Sequence, residues 1–280
     1  MNERYLALLF SIFLFCSCSK DYELIGLIQS NTNENNRFDQ SDEWNKLHPF
    51  KNLVVDKDDY TILVGGDSHI GSLTNFTAFL SEAKKSEILA FVLVGDLVTG
   101  EKKNYEILKE KLPEYEITPH FLIVGNHDLY YAGWKTFYDY FGSSTYYFTV
   151  ETPVAKDIFI CLDSSSGSLG NRQLVWLEDV LKNERNNYRN CFILTHLNFF
   201  RKSEKWALYP KINDSDELQT LFTEYNVNMV ISGHTHVIST NQIGTTNYLT
   251  IRALVDGISN PSFLKLSVKA GEIGYINQKI

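Results

Sequence analysis

Residues 61–69, with the sequence TILVGGDSH, contain the pattern that determines the fold of this chain. A short apolar, β-branched run is followed by two glycines and then by Asp67 and His69, whose side chains can bind a metal ion. An apolar run of this length is typical of a strand buried on both faces. Glycine lets the backbone turn sharply and approach a ligand where such a strand ends. We therefore predict that strands of this kind present functional groups at their carboxyl ends.

Five further apolar runs follow the first and alternate with segments of helical character. Counting the first, the runs lie at 61–64, 88–94, 121–124, 158–162, 191–194 and 228–231. The candidate helices lie at 74–86, 103–112, 171–184 and 214–225. Short apolar strands separated by helices predict an α/β protein in which helices cover buried sheets. After residue 236 the helices stop, and three runs predict a closing β-meander at 246–254, 262–269 and 273–279.

The composition is that of a globular protein with enough apolar material for a core. Of the 280 residues, 44% are apolar and 21% are charged, which excludes a disordered chain. Acidic residues outnumber basic residues by 34 to 26, so the net charge is −8. This balance argues against a broad basic face that grips nucleic acid, and we expect no nucleic-acid partner. A small phosphorylated substrate is still compatible with it, because a metal ion can supply positive charge locally.

The first residues of the chain have the features of an export signal. Arg4 precedes an apolar run over residues 5–15, which is shorter than the ~20 residues of a membrane-spanning helix. Ser17 stands directly before Cys18, as in bacterial lipoprotein signals. We predict a signal peptide over residues 1–17 and a lipid on Cys18 that anchors the protein in the bacterial cell envelope, at the outer membrane or cell surface. The alternative is an ordinary cleaved signal with an incidental cysteine.

The segment after Cys18 is polar and rich in asparagine. It predicts a tether over residues 18–45, followed by one domain over residues 46–280, because the chain has no internal repeat and no second composition regime. Cys161 and Cys191 are the only cysteines of that domain, and both lie in apolar runs. They predict two buried thiols on strands, with a single disulfide as the alternative.

Potential metal ligands follow five of the predicted strands. Two carboxylates, one amide and four imidazoles stand there: Asp67, His69, Asp96, Asn126, His196, His234 and His236. Any one of these residues alone is often a helix cap or a packed side chain. However, five of the seven histidines of the chain, including His127, stand directly after these predicted strands. Ligands bind at the carboxyl ends of strands in such sheets, and this many donors suits two ions that share a carboxylate. Nitrogen and oxygen donors without thiolate favour two divalent ions of Mn, Fe or Zn.

The order of these motifs resembles that of the calcineurin-like metallophosphoesterases. The chain has Asp-x-His at 67–69, Gly-Asp at 95–96, Gly-Asn-His-Asp at 125–128, a solitary histidine at 196 and Gly-His-x-His at 233–236. The resemblance extends over roughly residues 60–240 and includes Leu-Asp-Ser at 162–164. It implies the fold of that family, a four-layer α/β/β/α sandwich, which agrees with the alternation of strands and helices.

The resemblance also implies a role for each residue of the site. One ion would take Asp67, His69 and His236. The other ion would take Asn126, His196 and His234. Asp96 would bridge both ions, and a hydroxide held between them would attack phosphorus. His127 would protonate the leaving oxygen as general acid, with Asp128 orienting its ring.

Departures from the family pattern indicate the branch. Protein Ser/Thr phosphatases carry Asp-Arg soon after the second motif and Arg after the third, whereas this chain reads GDLVT at 95–99 and has Leu129. Purple acid phosphatases carry tyrosine three residues after the bridging aspartate, where Thr99 stands. The solitary histidine is often followed two residues on by proline, where Asn198 predicts a loop of different shape. The remaining likeness is to the small-substrate branch, which includes phosphodiesterases.

Aromatic residues and an arginine follow the third motif and the solitary histidine. Tyr130, Trp134 and Arg201 are the candidates for contact with a substrate. The alternative is that the aromatic residues pack the loops and that Arg201 is a solvated charge at the rim.

These observations predict a dinuclear metal-dependent phosphoric ester hydrolase that acts on small phosphomonoesters or phosphodiesters. Two other functions are the alternatives: a surface-anchored metal-containing binding module without catalysis, and a nuclease of the same family. The complete ligand set and His127 argue against the binding module. The acidic charge argues against the nuclease.

Overall fold

The computed structural model describes residues 32–200 and 214–280. The predicted signal peptide, Cys18 and Arg201 lie outside the described residues. Among the described residues the α-helices are α1 (Glu34–Leu47), α2 (Thr74–Ala83), α3 (Lys102–Lys111), α4 (Gly133–Phe141), α5 (Gly170–Glu184) and α6 (Ser215–Glu224). Two 3-10 segments cover His127–Ala132 and Arg185–Asn187. Within these ranges, no helix has both the length and the apolar content needed to cross a membrane.

Twelve strands of the described chain form two sheets. They are β1 (Asn52–Val54), β2 (Asp59–Gly65), β3 (Ala90–Val94), β4 (His120–Ile123), β5 (Tyr146–Glu151), β6 (Lys156–Leu162), β7 (Cys191–Thr195), β8 (Met229–Ser232), β9 (Ser239–Ile243), β10 (Thr246–Thr250), β11 (Ser262–Lys269) and β12 (Glu272–Lys279). The first sheet has the order β12-β11-β2-β3-β4, and the second has the order β1-β5-β6-β7-β8-β10-β9. In the first sheet β2, β3 and β4 are parallel, and in the second β6, β7, β8 and β10 are parallel.

The two sheets face each other across an apolar core. A column of phenylalanine rings crosses it, with centroid separations of 3.6 Å for Phe121–Phe148, 4.8 Å for Phe148–Phe159 and 4.4 Å for Phe159–Phe192. Helices α2, α3 and α4 cover the outer face of the first sheet, and α5 and α6 cover that of the second. The predicted four-layer α/β/β/α sandwich is therefore confirmed.

Phe159 gives a test of this central layer. The Phe159→Ala substitution removes a fully buried ring between two stacked neighbours, so we expect the free energy of unfolding to fall by about 3–5 kcal/mol. Chemical denaturation followed by circular dichroism measures the change. Val175→Ala, on the exposed face of α5, is the control and should change the free energy by no more than about 0.5 kcal/mol. Equal losses for the two variants would contradict the assignment of the ring to the core.

The carboxyl-terminal strands do not form the single meander that the sequence predicts. Strands β9 and β10 form a hairpin that extends the second sheet, where Tyr248 of β10 pairs in parallel with Val230 of β8. Strands β11 and β12 form another hairpin that extends the first sheet, where Leu266 pairs with Ile62 of β2. The prediction was wrong because the runs at 246–254, 262–269 and 273–279 do not indicate which strands they pair with, and only tertiary pairing assigns them to different sheets.

Helix α1 occupies much of the segment predicted as a tether. Asn33 caps its amino terminus by accepting a hydrogen bond from the backbone amide of Asn36 at 2.9 Å. The indole of Trp44 lies against Gly142, and the amide of Asn45 donates to the carbonyl of Thr145 at 2.7 Å. Residues 34–45 are thus part of the folded unit, which corrects the predicted tether and domain boundary there. The polarity of the helix hid this, because its deepest contact is made by a charged side chain.

Cys161 and Cys191 are free, buried thiols. Cys161 belongs to the core between the sheets, whereas Cys191 packs under α5 and α6 on the other face of the same sheet. The prediction of two buried thiols is confirmed, and the alternative of a disulfide is wrong because the two side chains lie on opposite faces.

Candidate metal centre

The predicted ligands lie where strands of the two sheets end side by side. Backbone hydrogen bonds join the turns that follow these strands. The amide of Asp67 donates to the carbonyl of Gly95 at 2.9 Å, and the amide of His69 donates to the carbonyl of Asp96 at 2.9 Å. In the second sheet, the amide of Gly233 donates to the carbonyl of His196 at 3.0 Å. These backbone hydrogen bonds alone therefore fix the positions of the turns relative to one another.

Five of the seven predicted ligands have a left-handed backbone conformation. Their φ angles lie between 40° and 71°: Asp67, His69, Asp96, His234 and His236. This region is uncommon for residues other than glycine, and each such residue costs on the order of 1–3 kcal/mol. Backbone strain of this kind clusters at functional sites, because the surrounding fold must hold it in place. The concentration of backbone strain at these five residues therefore supports a functional role for the turns.

Gly125 shows how closely two of the turns approach. A Cβ atom at this position would lie 2.2 Å from the Oδ1 atom of Asp96 and 2.2 Å from its backbone nitrogen. No side chain fits there unless Asp96 moves. The glycine of the Gly-Asn-His-Asp motif is therefore required by the position of the neighbouring carboxylate.

Asp96 lies between two groups of histidines. Its Oδ1 atom is 3.3 Å from Nε2 of His196, and its Oδ2 atom is 3.6 Å from Nε2 of His69. The backbone amide of His127 also donates to Oδ1 at 2.9 Å. A carboxylate whose two oxygens point to different sides can bridge two ions, and the Asp96 carboxylate has this orientation.

Possible ligand atoms form two compact groups here, and Asp96 belongs to the second of them. In each group the ligand atoms lie within 4.8 Å of one another: Asp67, His69 and His236 in the first, and Asp96, His196 and His234 in the second. The carboxamide oxygen of Asn126 lies 3.1 Å from Nε2 of His196, beside the second group. The structure thus brings together all seven residues.

His127 lies on the accessible side of this arrangement. Its imidazole forms a further compact group with His69 and Asp96, and its ring centroid is 4.7 Å from that of His69. The side chains of His69 and His236 are 13% and 27% exposed, whereas that of His196 is fully buried. A substrate can therefore reach the site from the side of His69, His127 and His236.

The charges of the site fit divalent cations. Asp67 and Asp96 are 0% and 2% exposed, and their ion-pair partners in the described ranges are histidines. Burying a carboxylate is costly unless positive charge lies beside it. Burial works against ionisation of Asp96, but the charges of His196 and His127 outweigh it and hold its pKa well below the usual range. Carboxylate, amide and imidazole donors are also the set that Mn, Fe and Zn accept.

The pKa values of the two buried imidazoles in the second group are shifted in opposite directions. Burial favours the neutral form of His196, but the Asp96 carboxylate outweighs it and raises the pKa of His196 to about 9. Burial and the charge of His196 lower the pKa of His234 to about 3. Metal ions bind the neutral form of imidazole, which the surroundings favour in His234, whereas a metal ion bound at this group would replace the proton that Asp96 favours on His196.

Asp128 does not orient the ring of His127 as the sequence predicts. Its carboxylate is fully buried and accepts hydrogen bonds from three backbone amides, those of Leu97 at 3.2 Å, Val98 at 2.9 Å and Gly125 at 2.7 Å. Burial, followed by the charge of Asp96, raises the pKa of Asp128 to about 7. Asp128 therefore ties together the turns after β3 and β4, and so fixes the backbone that follows Asp96 and the backbone that precedes Asn126.

This contact gives a stability prediction for Asp128→Ala. The substitution leaves three buried amides without an acceptor, so we expect the free energy of unfolding to fall by about 3 kcal/mol or more. Urea denaturation measures it. Asp139→Ala, which breaks an exposed ion pair with Lys135, is the control and should leave the stability unchanged within error. A neutral effect of Asp128→Ala would show that these hydrogen bonds do not support the turns.

Two residues predicted to contact substrate are buried instead. Tyr130 is 4% exposed and packs on His127, and Trp134 is 3% exposed and belongs to the core beneath the first sheet. The indole nitrogen of Trp134 donates to Oε1 of Gln40 in α1 at 2.6 Å. The alternative of loop packing is thus the correct one for these aromatic residues. Arg201 lies outside the described residues and stays a prediction.

Two positions near the ligands were not identified from the sequence. The Oγ atom of Ser164 accepts hydrogen bonds from the residues on both sides of His196. The guanidinium of Arg252 donates to the carbonyl of His236 at 2.8 Å. Ser164 stands in the Leu-Asp-Ser motif, which was a usable signal, whereas nothing in the sequence around Arg252 indicates its contact.

The fold and the site together define the class of protein. The model of the calcineurin-like phosphoesterase family matches residues 60–238, which is more than half of the chain. The chain therefore belongs to the calcineurin-like phosphoesterase family. A search of curated proteins finds no match.

Solved structures with this fold include phosphatases. A dimetal phosphatase from Danio rerio has a TM-score of 0.62 at 11% identity, covering 79% of this chain and 96% of that one. The purple acid phosphatase PPD1 from yellow lupin has a TM-score of 0.60 at 14% identity, covering 79% of this chain and 52% of that one. GAP50 of Plasmodium, an anchor in the inner membrane complex, has a TM-score of 0.59 at 13% identity, covering 80% of this chain and 85% of that one. At these identities the similarity shows the fold alone.

Proposed function

We propose that this protein is a dinuclear metal-dependent phosphoesterase that hydrolyses small phosphomonoesters or phosphodiesters. The observation that carries the proposal is the position of Asp96, a buried carboxylate whose two oxygens face different histidines. Asp67, His69 and His236 would hold one ion, and the second set would hold the other: Asn126, His196 and His234. Two divalent ions bound there supply a water ionised near neutral pH and positive charge for the phosphate oxygens.

The protein's own residues supply the rest of the chemistry. We assign the general acid to His127, because its imidazole lies on the accessible side beside His69 and its backbone is tied to Asp96. In this position the imidazolium can donate its proton to the leaving oxygen, which would otherwise depart as a poorly stabilised alkoxide. Asp128 supports the reaction indirectly by holding the turns that carry Asp96 and Asn126.

The test of the proposed function is hydrolysis of p-nitrophenyl phosphate, its bis ester and a short single-stranded DNA, each with Mn²⁺, Zn²⁺ or Fe²⁺. We expect turnover of at least one of the two small esters and none of the DNA. Turnover of the DNA alone would support the nuclease instead. Binding of metal without turnover of any of these compounds or of a panel of natural phosphoesters would support the binding module.

We also propose that the protein is anchored in the cell envelope through a lipid on Cys18. The support is the sequence alone, since a short apolar run precedes Ser17 and Cys18. Mass spectrometry of the mature protein should show an acylated amino-terminal cysteine. The Cys18→Ser variant should no longer be recovered in the membrane fraction. An unmodified amino terminus at another residue would contradict the anchor.

A further inference from the structure

Helix α1 inserts a charged side chain into the protein at the loop that follows β6. Arg37 is 0% exposed, although it lies on a helix of polar sequence. Its Nε atom donates to Oδ2 of Asp163 at 2.7 Å, and its Nη2 atom donates to Oδ1 of Asp163 at 3.3 Å. Nη1 donates to the carbonyl of Thr32 at 2.6 Å. A buried guanidinium needs partners for all its donors, and a two-point contact with a carboxylate fixes its geometry.

The same guanidinium holds the loop that follows β6. Nη2 of Arg37 also donates to Oγ of Ser165 at 3.1 Å and to Oγ of Ser166 at 2.9 Å. Asp163 in turn accepts from the backbone amide of Ser165 at 3.0 Å. Asp163, Ser165 and Ser166 are therefore bonded to one side chain from a helix more than a hundred positions earlier in the chain, and Gln173 of α5 also holds the backbone of Asp163.

Ser164, in the middle of that loop, contacts the turn that carries His196. Its Oγ atom accepts from the backbone amide of Leu197 at 2.9 Å and from the hydroxyl of Thr195 at 2.8 Å. Ser164 is fully buried, so these contacts have no competition from water. The residues immediately before and after His196 are thereby joined to one atom.

We propose that Arg37 is a positioning residue for the second metal site, acting through the 163–166 loop and Ser164 on the backbone that carries His196. The first group, Asp67, His69 and His236, has no contact with this loop among the hydrogen bonds of the described residues. Loss of Arg37 should therefore weaken one of the two metal sites and leave the other unchanged. The proposal rests on the proposed function only in requiring His196 to bind a metal ion.

The position of α1 does not depend on Arg37 alone, so the helix can stay in place when the Arg37 side chain is removed. Trp134 bonds to Gln40, Asn45 bonds to the carbonyl of Thr145, and Arg172 of α5 forms an ion pair with Asp39. Arg172 is exposed at this interface and does not touch the 163–166 loop in any hydrogen bond of the described chain. Arg172→Met is consequently a matched control, because it removes an arginine–aspartate pair of the same helix.

The experiment is a Mn²⁺ titration of metal-depleted full-length protein, followed by calorimetry and by electron paramagnetic resonance of free Mn²⁺. The wild type should bind two ions. Arg37→Met and Ser164→Ala should each weaken one of the two sites by about 10–100-fold and leave the other within twofold. The double variant should be no weaker than the worse single variant, because both act through one path. Arg172→Met should match the wild type.

The outcomes separate this inference from the proposed function. Wild-type affinities at both sites in Arg37→Met and Ser164→Ala would overturn the inference, and so would equal weakening by Arg172→Met. If Arg37→Met fails to fold, Ser164→Ala decides alone, because it leaves the ion pair intact. Two bound ions without hydrolysis of any phosphoester would refute the proposed function, while selective weakening in the variants would still uphold the role of Arg37.

Discussion

Asp96→Asn should reduce kcat/KM for phosphoester hydrolysis by about three orders of magnitude or more. The carboxylate is buried, and each of its oxygens faces a different histidine, so an amide can serve only one side as an oxygen ligand. If the amide nitrogen is placed at Oδ1, it also opposes the backbone amide of His127, which donates to that atom. On the proposed assignment the variant loses the charge that would hold two cations together, which would remove several kcal/mol of transition-state stabilisation, and about 4 kcal/mol corresponds to a factor of 10³.

Steady-state kinetics with saturating Mn²⁺ measures this loss. The control is Asp139→Asn, an aspartate of α4 that pairs with Lys135 on the surface and should retain wild-type activity. Circular dichroism of both variants separates a loss of chemistry from a loss of fold. An Asp96→Asn enzyme with full activity would show that the two-metal assignment is wrong.

His127→Ala should reduce kcat by a factor that depends on the leaving group. For phenyl phosphate, whose leaving oxygen needs a proton, we expect a loss of about 10²–10⁴-fold. For p-nitrophenyl phosphate the loss should be much smaller, because its leaving group is stable as an anion. The reason lies in the geometry, since the ring of His127 stands beside His69 on the accessible side of the site.

The control for His127 is His48→Ala, in which an exposed histidine at the end of α1 is removed. Its kinetics should match those of the wild type with both esters. Equal losses of His127→Ala with the two esters would argue against proton transfer to the leaving oxygen. They would favour a role in binding phosphate or metal, for which the group of His127, His69 and Asp96 offers the ligand atoms.

The buried strands of the two sheets could be predicted from the sequence, for a physical reason. Strands such as β2 and β3 are buried on both faces and are therefore continuous apolar runs with a glycine at the end. The polar residue after each glycine has a fixed direction, because the strand ends at the edge of a sheet. This is why the spatial proximity of Asp67 and Asp96 could be predicted from the chain.

The contacts that the sequence did not reveal depend on tertiary packing. Helix α1 has no apolar stripe, and its buried contact is made by Arg37, so hydrophobic periodicity could not detect it. Trp134 was predicted to contact substrate, but it packs on Phe137 in the core and bonds to Gln40 of that undetected helix, and neither contact is visible in the local sequence. For Asp128, a motif of four residues does not distinguish a carboxylate that faces an imidazole from one that faces three backbone amides.

The most direct test of the central claim is a titration of metal-depleted protein with Mn²⁺ in which bound metal and hydrolysis of p-nitrophenyl phosphate and its bis ester are measured together. The account predicts that the depleted protein is inactive and that activity with at least one ester rises until two ions are bound per chain. Full activity without metal, or activity that is complete with one ion per chain, would contradict it.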